Sequence, residues 1–214
     1  MIAVTFAHPS ESRDFLRLLG GRHHEVRVLH TGMGPVVCRE RIESFLDSER
    51  VDFLISSGFA GAVDDSLAFS DLIVAENFSD RALLQKARAV VICRVARLVT
   101  AERVIEDAAE RARWAREHGA NAVDMETESI AQACARREIP LLSLRAISDT
   151  AALPFPAPAD ILFDLEEQRT RSGRLTRYLL THPLAIVRLM RFARRIAAAR
   201  AELAIALKQL VETL

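Results

Sequence analysis

Asn-Ala-Val-Asp-Met-Glu-Thr-Glu-Ser-Ile-Ala at 121–131 and Leu-Arg-Ala-Ile-Ser-Asp-Thr-Ala at 144–151 decide how this chain is read. Each is an apolar run that ends on an acid. The pattern predicts a strand over 120–124, a helix from Met125 to Arg137 and a second strand from Leu141 to Ile147. In α/β proteins ligands bind where strands emerge into loops or helix starts. Glu126 and Asp149 are therefore expected to open on the same sheet edge and face one ligand.

Further strand-like runs rich in Val, Ile, Leu and Phe lie at 2–7, 25–30, 51–57, 71–75 and 90–99. Helical patterns at 10–19, 35–47 and 101–118 alternate with them, the last carrying Glu102, Glu106 and Glu110 at helical spacing among Arg103, Arg111 and Arg113. This alternation predicts an α/β fold with three layers, a mainly parallel or mixed central sheet flanked by helices. A proline-rich connector at 153–158 is followed by helical patterns and a long final helix from Pro183, a residue suited to a helix's first turn. At 214 residues the chain suits one domain, 1–214, with 152–214 as its helical C-terminal extension.

Apolar residues make up 50% of the chain, and 29 basic residues balance 29 acidic ones, so nothing global points to nucleic acid. Cys38, Cys93 and Cys134 are far apart and sit in apolar stretches, which suits buried thiols in a reducing cytosol. No metal-ligand spacing is present, and His23-His24 reads as a solvated turn. No metal and no cofactor are expected. The opening Met-Ile-Ala-Val-Thr-Phe-Ala reads as a first strand rather than a signal peptide, and no apolar run reaches membrane-spanning length.

Four of the eight glycines fall at Gly32-Met33-Gly34 and Gly58-Phe59-Ala60-Gly61, read as turns directly after strands. Glycine there permits positive φ and close approach of a ligand to backbone N–H groups, although tight strand-to-helix packing needs the same residue. Asp149, at a partly desolvated strand end beneath the proline-rich connector, is a candidate proton donor. Ser148 and Asp149 equally suit an N-cap. Glu126 at a helix start can hold an ionised carboxylate and accept hydrogen bonds from a vicinal diol, or be a helix-start acid with no ligand. Glu128 points elsewhere on that helix.

Together with Phe-Ala-His-Pro-Ser-Glu after the first strand, His-Thr-Gly-Met-Gly at 30–34 and Ser-Ser-Gly-Phe-Ala-Gly-Ala at 56–62, the two opening segments resemble the nucleoside phosphorylase and nucleosidase superfamily. The likeness is greatest to its 5′-methylthioadenosine/S-adenosylhomocysteine nucleosidases. It implies that Asp149 protonates the purine, that Glu126 binds the ribose hydroxyls with Met125 packed on the sugar, and that Glu11 orients the attacking water. Gly34, Gly58 and Ser148 join them as substrate-binding positions. Phe59 stands where nucleosidases carry a serine, and Val104 stands where they stack a phenylalanine on adenine, which puts the base in question. The expected activity is hydrolysis of a purine nucleoside's N-glycosidic bond, on a substrate whose 5′ substituent can be bulky.

Phosphorolysis, with phosphate as co-substrate, is the alternative. Ser56 and Ser57 stand where phosphorylases place an arginine, while Arg13 could align with a phosphate-binding arginine of the first loop. A non-catalytic nucleoside-binding protein is a further reading. A dinucleotide-binding fold is disfavoured, because no Gly-x-Gly-x-x-Gly follows the first strand. The superfamily implies a homo-oligomer and a small-molecule nucleoside as ligand, while the buried thiols suit a cytoplasmic protein, one that the basic C-terminal helix could bring to a membrane. Thr-His-Pro at 181–183 and the basic helix after it resemble the hopanoid-associated phosphorylase-like branch, linked to removal of adenine from a lipid-attached nucleoside. On composition alone, that helix either caps the sheet, forms an oligomer contact, or docks on an anionic membrane surface.

Overall fold

The computed structural model describes residues 1–20, 26–162 and 172–214. The expectation for His23-His24 lies outside the described residues. Strand β1 (Ile2–Phe6) leads to helix α1 (Pro9–Leu19), strand β2 (Val26–His30), helix α2 (Pro35–Ser48) and the ten-residue strand β3 (Phe53–Ala62). Then come β4 (Leu72–Ala75), α3 (Arg81–Val90), β5 (Arg94–Ala96), β6 (Leu98–Thr100), α4 (Ala108–His118), β7 (Ala122–Asp124), α5 (Thr127–Ala135) and β8 (Leu141–Asp149). Helices α6 (Ala159–Leu162), α7 (Ser172–Thr181) and α8 (Pro183–Thr213) complete the chain.

Strand β3 is the axis of the sheet. It runs parallel to β1 on one side and to β8 on the other, and its last residues, Gly61 and Ala62, pair antiparallel with β7. The order β2-β1-β3-β8-β4-β5 is parallel except where β4 opposes β8, and β6 joins through β7. The sheet is therefore mixed and mostly parallel.

Alternation along the strands divides the core into two faces. Ala3, Leu54 and Leu141 point to α2 and α5, where they meet Cys38, Ile42, Ile130 and Ala133. Their neighbours Val4, Ile55 and Leu142 point to α1, α3 and α8, where they meet Phe15, Leu83, Leu203 and Leu207. Three layers result. The second half of α8 is buried at Ala199, Leu203, Ala206, Leu207 and Leu210, and Arg200 Nε bonds Asp14 Oδ2 of α1 at 2.6 Å.

Three boundaries differ from the sequence pattern. The Gly58–Gly61 segment is no turn: β3 continues through it, because Phe59 and Ala60 stay paired with Ala146 and Ile147 of β8. The apolar run at 90–99 starts as the end of α3, whose N-cap Asp80 accepts from the N–H groups of Ala82 and Leu83, and then breaks into two short strands. The helix expected over 101–118 begins only at Ala108, capped by Asp107, and ends at Gly119 in the left-handed region. Residues 101–107 are instead irregular and cross the mouth of the site. Leu207→Ala is expected to lower the unfolding free energy by about 2–5 kcal/mol, the cost of a large-to-small change in a closed core. Urea denaturation measures it.

Candidate active site

Where β3, β7 and β8 end and α1 begins, the surface opens into a cavity of about 140 Å³. Glu11, Phe59, Val104, Met125, Glu126, Ser148 and Asp149 all line it. Residues far apart in the chain are thus brought together. A second hollow of about 10 Å³, close to the volume one water needs, adjoins it between Glu11, Gly58, Phe59, Glu126 and Arg145.

Glu11 is placed by the first turn of α1. His8 caps that helix, its side chain accepting from the Ser10 N–H, and the Ala7 N–H donates to Glu11 Oε2 at 3.0 Å. Gly58 is required opposite it. A Cβ there would lie 3.1 Å from Glu11 Oε2, and its φ of 151° is one that L side chains rarely adopt. Burial pushes the Glu11 carboxyl up to about 7, with Arg145 and the backbone N–H bonds of the loop partly offsetting it and Asp124 adding to it.

Glu126 occupies the N-cap position of α5, but its side chain does not cap the helix. Asp124 does so instead, receiving the Thr127 N–H at 3.2–3.3 Å and the Thr127 hydroxyl. Glu126 turns inward, and the Gly34 N–H donates to its Oε1 at 2.8 Å. Gly34 holds φ at 87°, which aims that N–H. The helix start was expected to stabilise an ionised carboxylate. Burial wins over it: together with the negative charges of Asp124 and Glu11, it raises Glu126 to about 8, against the Gly34 bond and Arg145.

Asp149 is the buried last residue of β8, so the N-cap reading of Ser148 and Asp149 does not hold. The Ser148 hydroxyl donates to Asp149 Oδ1 at 2.6 Å, and Arg111 Nη2 pairs with Oδ2. Arg111 comes from α4, where it is the buried residue of a polar helix; its Nη1 also donates to Ala62 O at 2.7 Å. Among the described residues its Nε has no partner. Gly61 makes the pairing possible, since a Cβ there would lie 2.9 Å from Asp149 Oδ2 and 3.3 Å from Arg111 Nη1.

Beneath the acids lies a second buried ion pair. Arg145 Nε bonds Asp124 Oδ2 at 3.1 Å, and its remaining N–H groups reach Ser56 O, Ser56 Oγ, Leu144 O and Thr127 Oγ1 at 2.6–3.0 Å. Neither Arg111 nor Arg145 is marked as a site residue by the sequence, because an arginine in a helix or strand looks the same whether it meets water or a buried acid.

Two other expectations meet the geometry differently. Arg13 is exposed on α1 beside Asp14, and it lines neither hollow, so it does not reach the site as a phosphate ligand. Among the described residues no three His, Cys, Asp or Glu side chains cluster as a metal site would require. Cys38 and Cys134 are buried, and burial pushes their thiols up to about 12, which leaves them unreactive. The arrangement suits proton transfer, because two carboxyls poised near neutrality face one cavity with a third acid held by two donors.

Two outcomes follow from these environments. Glu126 is raised from 4.5 to about 8, so its contribution to stability is full below about 4.5 and is lost as pH rises through about 8. The Glu126→Gln variant should therefore gain stability relative to the parent between about pH 5.5 and 8.5, as read by thermal melts across that range. Arg111→Met should destabilise the fold by about 3–5 kcal/mol, because it leaves Asp149 buried without its cation. The Asp149→Asn, Arg111→Met double variant should recover part of that loss in the same melts.

The phosphorylase superfamily model matches residues 76–182, half of the chain. Curated 5′-methylthioadenosine/S-adenosylhomocysteine nucleosidases of Staphylococcus aureus, from strains bovine RF122 / ET3-1 and MRSA252, are 24% identical over 161 residues, covering 61% of this chain and 71% of each relative. The native futalosine hydrolase of Helicobacter pylori strain 26695 superposes with a TM-score of 0.74 at 20% identity, over 100% of this chain and 97% of that one. The Campylobacter jejuni 5′-methylthioadenosine/S-adenosyl homocysteine nucleosidase does so with a TM-score of 0.73 at 19% identity, over 100% and 99%. At those identities the structural likeness is one of fold. The motifs at 121–131 and 144–151 and the family match agree: the chain belongs to the phosphorylase superfamily, an enzyme family, and nucleosidases are among its relatives.

Proposed function

We propose that this protein hydrolyses the N-glycosidic bond of a purine nucleoside. The observation that carries the reading is the convergence of Glu11, Glu126 and Asp149 on one cavity, with a hollow of one water's size against Glu11. The nucleosidase relatives support it.

The roles follow from each acid's surroundings. Glu126, backed by the Gly34 N–H on one oxygen, keeps lone pairs for the ribose hydroxyls, with Met125 beside the sugar. A water in the small hollow attacks the anomeric carbon and passes a proton to Glu11. The bond to the base breaks and its electron pair is taken up by the purine, which receives on the ring a proton that Asp149 Oδ1 takes up from solvent as the nucleoside binds; Glu11 returns the water's proton to solvent when the products leave. Asp149 has two partners, a neutral hydroxyl on Oδ1 and a guanidinium on Oδ2. Exchanging the hydroxyl for the base keeps the ion pair intact, so Oδ1 is the oxygen that serves the purine. In its ionised form Glu11 favours the oxocarbenium-like sugar over the neutral ground state, while Glu126, raised to about 8, meets the ribose hydroxyls mainly as a neutral carboxyl.

Water rather than phosphate is the nucleophile in this reading, because Arg13 lies away from the cavity and Ser56 is committed to Arg145. Val104 and Phe59 leave the base and sugar against aliphatic and aromatic walls, which distinguishes purines less sharply than polar contacts do. Free base released from 5′-methylthioadenosine, S-adenosylhomocysteine and futalosine, with and without phosphate, tests the proposal. Release without phosphate is expected, and Asp149→Asn should slow it by about 10²–10⁴. Release that requires phosphate would establish phosphorolysis, and binding without release would leave a nucleoside-binding protein.

A further inference from the structure

Charge in this chain is balanced overall, yet Ser172 to Arg195 carries six arginines and no acidic residue. Arg174, Arg177, Arg188, Arg191, Arg194 and Arg195 are all exposed, and none makes an ion pair among the described residues. The same stretch is where apolar surface is left uncovered. Of the eleven large apolar side chains exposed among the described residues, five fall between Leu180 and Met190, with Leu180 at 80% and Leu184 at 78% exposure.

The two features share one surface. Leu180 lies in the last turn of α7 and Leu184 in the first turn of α8, on either side of the joint at His182-Pro183. Leu184, Val187, Arg191 and Arg194 then recur at helical spacing along one side of α8. This half of α8 contrasts with its second half, whose apolar residues close the core. Exposed leucines clustered with arginines that have no ion pair among the described residues are the composition of a segment that meets an apolar phase bordered by negative charge.

We propose that the α7–α8 face docks on an anionic lipid surface. Leu180, Leu184, Val187 and Met190 would enter the headgroup boundary while the arginines pair with lipid phosphates. A second copy of this chain fits the face poorly, because a two-fold contact would set arginine against arginine. Docking rather than spanning is the mode, since among the described residues no helix is long and apolar enough to cross a membrane. The face also borders the active site. Arg188, Arg191 and Arg195 line a hollow of about 270 Å³ under the proline-rich connector, and Phe155 of that connector lines both this hollow and the active-site cavity. Docking would therefore hold the mouth of the site at the lipid surface.

Flotation of the purified full chain with vesicles of phosphatidylcholine alone, or with about 30% phosphatidylglycerol, tests the proposal. Binding is expected only to the anionic vesicles and should weaken with salt. The Arg188→Gln, Arg191→Gln, Arg194→Gln variant should lose on the order of a hundredfold in partitioning, each basic residue near such a surface contributing roughly fivefold. Leu184→Ser with Val187→Ser, which keeps the charge, should also weaken binding, and both variants should release base from a soluble nucleoside at the parent's rate. Equal binding to both vesicle types, or none to anionic vesicles at low salt, would overturn the proposal. So would a dimer in sedimentation that these substitutions split.

Discussion

The buried guanidinium of Arg145 holds together the elements on which the site is built. From the middle of β8 it donates to Asp124 at the end of β7, to Ser56 in β3 and to Thr127 at the start of α5. Every N–H it carries is used inside the protein. A buried charge pair of this kind adds little net stability, because desolvation offsets most of the attraction, but it penalises any packing that breaks it. The ends of β3, β7 and β8 are thereby locked in one mutual position. Met125 and Glu126 follow directly from Asp124, and Asp149 lies four residues along the strand from Arg145.

The same pair sets the electrostatics above it. Arg145 pulls the Glu11 and Glu126 carboxyls down, Asp124 pushes both up, and burial outweighs the cation for each. The result is two acids poised near neutrality on one wall and Asp149 bonded to Arg111 and Ser148 on the other. Like residues are made unlike by what surrounds them, which is how a cavity lined by three carboxyls can assign them different tasks. The glycines of β3 serve this division in an unexpected way. Gly58 and Gly61 do not turn the chain. They remain in an extended strand and remove the side chains that would collide with Glu11 and with the Asp149–Arg111 pair.

Much of this was legible in the residues. The apolar runs ending on Glu126 and Asp149, the alternation of strands with helices and the long helix from Pro183 follow from local periodicity, and the fold obeys them. The limits of legibility have specific causes. The run at 90–99 is apolar apart from Arg94 and Arg97, and periodicity alone does not tell its first residue, the end of α3, from the two strands that follow. The charge spacing over 101–118 continued a helix pattern past the point where Asp107 caps α4. Arg111 was concealed among Arg103 and Arg113, which are exposed and pair with Glu110.

By itself, then, the sequence determined the elements, their order, the layered architecture and the candidate acids, because these depend on side-chain polarity at short, regular spacing. Only the tertiary structure decided which charges meet. The Arg111–Asp149 and Arg145–Asp124 pairs join residues 38 and 21 positions apart, and they exist because α4, β7 and β8 come together in space. The protonation of Glu11 and Glu126 was decided there as well, since it depends on burial and on fields from several elements at once. No local window of sequence contains those fields.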